Sequence, residues 1–329
     1  MTTDNSPDIS IVVCTFNRAE MLQGALASLA NLATDGRFTY EIVVIDNASP
    51  DHTAQVIAAA AGQSQAPLRG AYEPKQGIVA ARNRGLKEAR GRWIAFFDDD
   101  QIADPRWLAE LFALATAKQC RCVGGAVYLQ LPKGCSRQLA PTVRMILGES
   151  IWSDQPLRYG GRITPGCGNL MVERSVFAEV GGFDDAVGGR GEDTDLFRRI
   201  DRAGIEAWFA PGGIIHHVTP AVRLTDPYLL KIARYMGDEI AGHQRRALGG
   251  ARFATRWLLK AARHIGWYWP RYLLARLGNG EAALGWRCQL AISGSYLRRG
   301  WRDLWPQPAI VQPTTAQPAI ASHQPAKAL

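Results

Sequence analysis

The chain has 329 residues, of which 47% are apolar and 21% are charged, so its composition is that of a globular protein able to bury a full core. It shows neither a signal-peptide pattern at the N-terminus nor an apolar run of the ~18–20 residues needed to cross a bilayer, which argues against secreted and membrane-spanning classes. The six cysteines lack the CxxC spacing of zinc sites and predict reduced, buried thiols. We therefore expect a cytoplasmic protein.

Charge is divided unevenly along the chain. The net charge is +8, but residues 221–305 hold 15 Lys and Arg against 5 Asp and Glu, whereas residues 1–220 carry a net −3. The basic segment also contains six of the ten tryptophans. This asymmetry predicts a catalytic or binding domain over 1–220 and a basic, Trp-rich helical region over 221–305. The Pro-, Ala- and Gln-rich stretch 306–329 predicts a disordered tail.

Short apolar runs alternate with helical patterns over the first 130 residues. The runs are β-branched or aromatic and do not alternate with polar residues, as expected for strands covered on both faces. In chain order, the predicted strands are 9–13, 41–45, 70–72, 93–97 and 122–127, and the predicted helices are 19–33, 53–61, 79–89 and 105–117. This order predicts an α/β fold with a mainly parallel, doubly wound sheet flanked by helices.

The pattern weakens at 131–165, which we interpret as a long excursion. Beyond it the sequence predicts a strand at 168–172, helices near 175–180 and 193–203, and two short strands, "EAWFA" and "GIIHHV". From 226 to about 302 it predicts several helices rich in Arg and Trp.

Polar clusters follow three of the predicted strands. Thr15 to Arg18 follows the first, Asp46-Asn47 the second, and Asp98-Asp99-Asp100 the fourth. In an open parallel sheet these clusters meet at one edge, where ligands bind. The alternative for any single cluster is an ordinary solvated turn.

The three consecutive aspartates need a counter-charge, since adjacent carboxylates repel one another and raise each other's pKa. Mg²⁺ or Mn²⁺ would supply it, because both prefer oxygen ligands, and such an ion would in turn favour a diphosphate. The sequence contains neither the P-loop pattern nor GxGxxG, so a Gly-rich phosphate loop is excluded.

A second acidic element, Glu192-Asp193, opens a predicted helix. Acidic residues in a first turn can be simple caps that the helix dipole stabilises by roughly 0.3–1 kcal/mol. Alternatively, the flexible stretch "GGFDDAVGGRG" before them would act as a lid that brings a carboxylate to a substrate hydroxyl as general base.

Two adjacent histidines, His216 and His217, end the last predicted strand. A histidine in such a place is often structural, but either one could complete a metal shell if it lies beside the aspartates.

Five stretches resemble family 2 glycosyltransferases in order and spacing, and the resemblance covers residues 9–220. They are "ISIVVCTFNRAEML", "EIVVIDNASPD", "GIVAARNRGLKEARGRWIAFFDDD", "GCGNLMVERSVFAEVGGFDD" and "GEDTDLFRRIDRAG". The resemblance implies a GT-A fold over 1–220. It also implies an inverting, metal-dependent transfer of a sugar, of the hexosyltransferase type, from a nucleotide-diphosphate donor to an acceptor hydroxyl in polysaccharide biosynthesis.

The resemblance also implies roles for individual residues. Asp193 would be the catalytic base, Asp98 and Asp100 the DxD pair, and Asp100 the direct metal ligand. His216 would be the metal-associated histidine, with His217 as the open alternative. Residues 164–169, "TPGCGN", would lie where donor sugar and acceptor meet, and donor choice would depend on 162–169. The residues implied at the nucleotide and its cofactor are Thr15, Arg18, Asp46, Arg82, Asp98 and Asp99, with the role of Asp99 open between ligand and bystander.

The basic segment 221–305 suits an amphipathic surface lying on an anionic membrane. Such a surface would fit a lipid-linked or growing saccharide as acceptor and peripheral attachment to the inner face of the plasma membrane. The alternative is a helical subdomain packed on the catalytic core. No nucleic-acid-binding motif accompanies the basic residues, so we expect no nucleic-acid partner.

Two rival functions differ in their sequence requirements. A sugar-nucleotide pyrophosphorylase would need a Gly-rich N-terminal loop, and "CTFNRAEM" has no glycine. A catalytically silent nucleotide-sugar-binding or membrane-recruitment module would have no reason to keep both acidic elements. The donor sugar and base, the acceptor, the linkage and the oligomeric state are left open by the sequence.

Overall fold

A computed structural model describes residues 6–161, 163–187, 191–278 and 280–305. The predicted tail 306–329, Arg162 of the predicted donor segment and residues 188–190 of the predicted lid lie outside the described residues. Within them, nine strands form one sheet. The strands are β1 (Ile9–Thr15), β2 (Tyr40–Asp46), β3 (Leu68–Tyr72), β4 (Trp93–Asp98), β5 (Gln101–Ala103), β6 (Cys122–Gln130), β7 (Leu157–Arg158), β8 (Asn169–Glu173) and β9 (Ala207–Val218).

The strand order is β3-β2-β1-β4-β8-β6-β9-β5, and β7 pairs with β9. The β3-β2-β1-β4 half is parallel, and β8 runs antiparallel between β4 and β6. In the parallel half Thr15 pairs with Asp46, and Cys14 pairs with Asp98. This register carries the three polar clusters to one edge of the sheet, as predicted for an α/β fold of this kind.

Helices cover both faces of the sheet. Ile11 and Val13 of β1 point to one core and Val12 points to the other, so the apolar residues on both faces of the strand meet a core. This explains why the strands read as continuous apolar runs. The helices of this part are α1 (Ala19–Leu29), α2 (Thr53–Gln63), α3 (Ile78–Glu88), α4 (Trp107–Lys118), α5 (Pro141–Ile146), α6 (Arg174–Val180) and α7 (Glu192–Arg202).

The two short strands predicted at the end of this region are one strand, β9, with a bulge. Ala210 pairs with Gly125 of β6, but the next residue of β6, Ala126, pairs with Ile214. The Pro-Gly-Gly stretch 211–213 therefore loops out of the ladder instead of forming a turn between two strands. The region 131–165 also contains two short elements, α5 and β7, which its weak sequence pattern does not predict.

Asn169 fastens this bulge from inside the core. Its side-chain amide donates to the carbonyls of Ala126 and Gly213, at 3.0 and 2.9 Å, and its Oδ1 accepts from Trp107 Nε1 at 2.7 Å. It is 3% exposed. Asn169 was predicted within the donor segment 164–169, and its contacts are those of a buried structural residue.

The chain becomes helical after β9. A single 3₁₀ turn (Ala221–Leu224) leads into α8 (Asp226–Arg263), a π-helical turn (His264–Tyr268), α9 (Trp269–Arg276) and α10 (Gly280–Leu304). The helix α8 is broken at Gly249, whose φ of 71° lies in the left-handed region. Apolar side chains of α8 and α10 pack with α5 in a third core cluster that includes Val143, Leu229 and Cys288.

None of the helices that the structure describes is both long enough and apolar enough to cross a membrane. All six cysteines are unpaired, with four of them buried.

We expect Asn169→Ala to lower the free energy of unfolding by about 3 kcal/mol or more, because it leaves the Trp107 donor and two carbonyls unpaired in the core. Chemical denaturation measures the change. Asn31→Ala, at an exposed position, is the control and should stay within ~0.5 kcal/mol of the parent. Equal effects of the two substitutions would contradict the role given to Asn169.

Candidate active site

A cavity of about 830 Å³ opens at the carboxyl edge of β1, β2 and β4. Its floor is formed by the strand ends and by the start of α3, and its far wall by the end of α5, the 3₁₀ turn and α8. Among the lining residues are Thr15, Arg18, Asn47, Gly77, Asp98, Asp99, Asp100, Leu147, Glu192, His217, Arg223 and Tyr228. Of the residues predicted at the site, Asp46, Arg82, Asp193 and His216 are outside this lining.

Asp99 holds the first loop in place. Its carboxylate accepts from Thr15 Oγ1 at 2.8 Å and from Arg18 Nη1 at 2.9 Å. Burial raises its pKa, and the contacts with Arg18 and Thr15 oppose that rise. Asp99 therefore orients two residues that were predicted to hold the nucleotide.

Asp100 is the most strongly ionised of the three aspartates. Its Oδ2 lies 3.4 Å from His217 Nε2, 3.1 Å from Arg223 Nη2 and 3.3 Å from Arg18 Nη1. Burial alone would raise its pKa, but His217 and the two guanidinium groups overcome burial and hold the pKa at about 2.

The histidine beside Asp100 is His217. Because side chains alternate along β9, His216 points the other way, and its ring packs against Tyr128 with the centroids 6.0 Å apart. The structure thus brings the second of the two adjacent histidines to the aspartates.

Two forms of His217 fit its contacts. The Nδ1 atom lies 2.8 Å from the carbonyl of Leu147, which can only accept, so Nδ1 carries a hydrogen. Nε2 lies 3.1 Å from Arg223 Nη1, which can only donate, and 3.4 Å from Asp100 Oδ2, which accepts. The neutral ring accepts from Arg223, whereas the protonated ring pairs with Asp100. Burial lowers the pKa of His217, but the Asp100 carboxylate raises it, and the balance is upward, towards the protonated ring.

Asp98 has the weakest partner of the three aspartates. Arg82 Nη2 lies 3.7 Å from its Oδ1, and 43% of its side-chain surface remains accessible. Removal from bulk water, more than the repulsion from Asp100 and Asp99, raises its pKa to about 6 despite the attraction of Arg82. A Cβ at Gly168 would lie 2.3 Å from Asp98 Oδ2, so a side chain at that position would displace the Asp98 carboxylate.

Arg82 is held mainly by Glu192. The two form a buried ion pair through Arg82 Nη1 and Glu192 Oε1, and the Arg82 guanidinium also lies 5.4 Å from the ring centre of Phe183. Glu192 additionally accepts from the amide of Gly191 at 2.9 Å. The sequence predicts no separate role for Glu192, because its partner Arg82 is 110 positions away and only the structure shows that Arg82 is buried.

Asp193 is the second residue of α7 and lies beside the predicted donor segment. Its Oδ1 accepts from the Thr194 amide at 2.6 Å, and its Oδ2 would lie 3.9 Å from a Cβ placed on Gly166. Its side chain is half-buried. The structure therefore brings Asp193 and the segment 164–169 together, next to the cavity that Glu192 lines.

Asp46 and Asn47 lie at the end of β2, beside the cavity. Asp46 is buried and accepts from the Ser49 amide at 2.9 Å. Asn47 donates to the carbonyls of Glu73 and Lys75 and accepts from the amide of Gly77 at 2.8 Å, so it fixes the loop before α3. Among the described residues, no three His, Cys, Asp or Glu side chains form a ready-made metal site.

We expect Asp98→Asn to stabilise the protein at neutral pH in EDTA. Because the pKa of Asp98 is raised in the folded protein, folding opposes ionisation of this carboxyl. The resulting loss of stability is absent below pH 3.8, grows as the pH rises to about 6 and is complete above pH 6. Solvent screens a side chain that is 43% exposed, so we expect a gain of ~1 kcal/mol in the free energy of unfolding.

Asp100→Asn is the matched variant with the opposite sign. The lowered pKa of Asp100 means that its ionised form stabilises the fold above pH 3.8, and this stabilisation is lost only as the pH falls to about 2. The substitution should therefore lower the free energy of unfolding by about 2 kcal/mol at neutral pH. Urea denaturation of both variants measures the two changes. A loss of stability in Asp98→Asn equal to that in Asp100→Asn would disprove the charge assignment.

Comparison with protein families gives a match to the model described as Glycosyl transferase family 2 over residues 10–179, which is more than half of the chain. The matched range contains β1 to β4 and the three aspartates. Asp193 and His217 lie beyond it.

Several characterised proteins are related in sequence. The chain is 28% identical over 227 residues to the succinoglycan biosynthesis protein ExoM of Rhizobium meliloti (strain 1021), covering 68% of this chain and 71% of ExoM. It is 28% identical over 211 residues to glycosyltransferase AglE of Haloferax volcanii, covering 63% and 66%. It is 26% identical over 228 residues to a validoxylamine A glucosyltransferase of Streptomyces hygroscopicus subsp. jinggangensis, covering 62% and 53%.

A solved structure confirms the predicted fold. The mannosyltransferase PcManGT of Pyrobaculum calidifontis, in complex with GDP-Man and Mn²⁺, aligns with a TM-score of 0.57 at 17% identity, covering 92% of this chain and 88% of PcManGT. At that identity the likeness establishes the architecture, which is the GT-A fold. With the family match extending over more than half of its length, the chain belongs to glycosyl transferase family 2.

Proposed function

We propose that the protein transfers a sugar from a nucleoside-diphosphate sugar to an acceptor hydroxyl with inversion at the anomeric carbon. The observation that carries this proposal is the grouping of Asp98, Asp100 and His217 at the cavity, with Asp193 on the adjoining turn of α7. The first group suits a cation and a diphosphate, and the separate carboxylate suits a hydroxyl that must lose its proton. A single displacement requires both.

The residues present fit a divalent cation that arrives with a diphosphate. Asp100 Oδ2 and His217 Nε2 are 3.4 Å apart, so one ion could make bonds of about 2.1 Å to both. The hydrogen bond from Nδ1 to Leu147 is the support that ligating histidines commonly have. Mg²⁺ and Mn²⁺ often take one or two protein ligands and complete their shells with phosphate and water, so a preformed three-ligand site is not required.

We therefore assign Asp98, Asp100 and His217 as the residues that would hold Mg²⁺ or Mn²⁺, with His217 in the role predicted for His216. When bound, the ion would stabilise the negative charge of the diphosphate leaving group.

Asp193 would act as the general base. Its Oδ1 is oriented by the Thr194 amide, and its Oδ2 faces the segment 164–169. The acceptor oxygen forms its bond to the anomeric carbon as the bond from that carbon to the diphosphate breaks, and the hydroxyl proton passes to the Asp193 carboxylate. Attack from the side opposite to the leaving group inverts the configuration.

Two residues on the cavity wall, Thr15 and Arg18, would contact the nucleotide, and Asp99 orients both of them. Asp46, at the end of β2, and Arg82, in the middle of α3, are outside the lining, so a contact of either with the nucleotide would require a change in the wall. The ion pair with Glu192 occupies the Arg82 guanidinium and leaves little of it for a contact with the donor. We therefore assign Arg82 mainly the positioning of Asp98.

The acceptor is proposed from the relatives. ExoM is named for succinoglycan biosynthesis, and AglE is named a glycosyltransferase. We propose a growing or lipid-linked saccharide in polysaccharide biosynthesis as the acceptor, and a hexose as the transferred sugar.

The helical region presents an amphiphilic surface that would hold the protein on an anionic membrane. Arginines lie over several of its aromatic rings, for example Arg271 over Trp267 at 3.0 Å from the ring centre. Exposed leucine and tryptophan beside arginine favour the interface of an anionic bilayer, and we propose attachment to the inner face of the plasma membrane. The exposed large apolar side chains of the helical region include Leu258, Leu259, Ile265, Trp267, Trp269, Leu273, Leu274, Leu277, Trp301 and Trp305.

Calorimetric titration with UDP, GDP and dTDP, each with Mn²⁺ or with EDTA, tests the donor assignment. One nucleotide should bind in the presence of Mn²⁺ only, and Asp100→Ala should abolish that binding. A protein that binds no nucleoside diphosphate with Mn²⁺ would instead be a silent membrane-recruitment module.

Asp193→Asn should retain nucleotide binding and lose catalysis, with kcat falling by about 10²–10⁴ because the hydroxyl keeps its proton. Transfer from the donor identified above measures the loss. Asp195→Asn is the matched control, since Asp195 is on the same turn and pairs with Arg199 at 2.9 Å. Similar kcat values for Asp193→Asn and Asp195→Asn would exclude Asp193 as the base.

Replacing Leu273, Leu274 and Leu277 by glutamate should reduce binding to phosphatidylglycerol-containing vesicles by at least about tenfold, because each side chain is more than half exposed and available for insertion. Co-sedimentation measures the effect. Ile151→Glu, an exposed apolar position outside the helical region, is the control. Parent protein that stays in the supernatant would refute the membrane assignment.

A further inference from the structure

Arg223 contacts both Asp100 and His217, two of the side chains assigned to the ion site. It lies in the turn Ala221–Leu224, lines the cavity and is 18% exposed. Its Nη2 donates to Asp100 Oδ2 at 3.1 Å, and its Nη1 lies 3.1 Å from His217 Nε2, to which it donates when that nitrogen carries no proton, the same form that a metal ion requires. A guanidinium group thus contacts the same oxygen and the same nitrogen that a divalent cation would use.

These two cations exclude each other. The ring nitrogen has one lone pair, so Nε2 cannot accept from Arg223 and bind a metal at the same time. Arg18 also donates to Asp100 Oδ2, at 3.3 Å, so protein cations already neutralise this carboxylate. A bare divalent cation must therefore displace Arg223 and leave a mostly buried guanidinium without its anionic partner, which is unfavourable.

A diphosphate would remove this penalty. The guanidinium fork can donate two parallel hydrogen bonds to phosphate oxygens, and Arg223 already lies on the wall of the cavity that the diphosphate would enter. We propose that Arg223 is a diphosphate-binding residue that occupies the Asp100–His217 pair until a nucleoside diphosphate and its cation arrive together, and then donates to the diphosphate. This inference rests on the proposed transfer function.

The exchange makes binding of the ion and of the nucleotide cooperative. The ion alone competes with Arg223 for Asp100 and His217. The nucleotide would give Arg223 a new partner and would supply phosphate oxygens as some of the ligands of the ion. By linkage, each should strengthen the binding of the other. Removing the Arg223 charge should therefore act with opposite sign on the two ligands.

Arg223→Gln tests this opposition of sign. Binding of Mn²⁺ alone, followed by the electron paramagnetic resonance signal of unbound Mn²⁺, should become at least about threefold tighter because the competing cation is gone. Binding of UDP, GDP or dTDP at saturating Mn²⁺, followed by calorimetry, should become roughly tenfold weaker because a charge-assisted contact to phosphate is lost. Arg223→Lys, which keeps the charge without the fork, should lie between.

Arg287→Gln is the matched control, since this exposed arginine of α10 pairs with Asp226 at 3.0 Å and should leave both affinities unchanged. A merely structural role for Arg223 would weaken both ligands together, and that result would overturn the inference. An unchanged nucleotide affinity in Arg223→Gln would overturn it while the transfer function stands. Failure of the parent protein to bind any nucleoside diphosphate would overturn both.

Discussion

Charge balance at the end of β4 is the constraint on which the site depends. The parallel register delivers three adjacent carboxylates to the sheet edge, where like charges would repel and take up protons. Each carboxylate has an arginine partner: Arg82 for Asp98, Arg18 for Asp99, and Arg223 together with Arg18 for Asp100, which also lies beside His217. The strength of each pairing sets the ionisation, from a pKa of about 2 at Asp100 to about 6 at Asp98.

These partners come from distant parts of the chain, so the aspartates organise more than their own surroundings. Arg18 ties in the β1–α1 loop, and Arg82 leads through Glu192 to the first turn of α7, where Asp193 stands. Arg223 connects the same cluster to the turn that starts α8 and with it the helical region. Single side chains thus connect the three aspartates to the turn that carries Asp193 and to the start of the helical region.

Much of the fold and part of the candidate site could be predicted from local sequence patterns. The remaining features depend on pairing between residues far apart in the chain. The strands, their shared edge and the importance of Asp98–Asp100 followed from apolar runs that end in polar clusters. The Arg82–Glu192 pair joins residues 110 positions apart, and no local signal specifies it. Asn169 stood in a stretch associated with the donor, yet the bulge of β9 recruits it into the core. Arg223 lay in an unremarkable turn, and only the fold brings it to Asp100.

The bulge of β9 also decides which histidine meets the aspartates. Three residues, 211–213, stand between the partners of Gly125 and Ala126, and an odd number of looped-out residues reverses the face on which every later side chain falls. The adjacent His216 and His217 present one imidazole to each face. Only the ring at position 217 lies on the face of the aspartates, so a substitution at His216 would leave that imidazole in place.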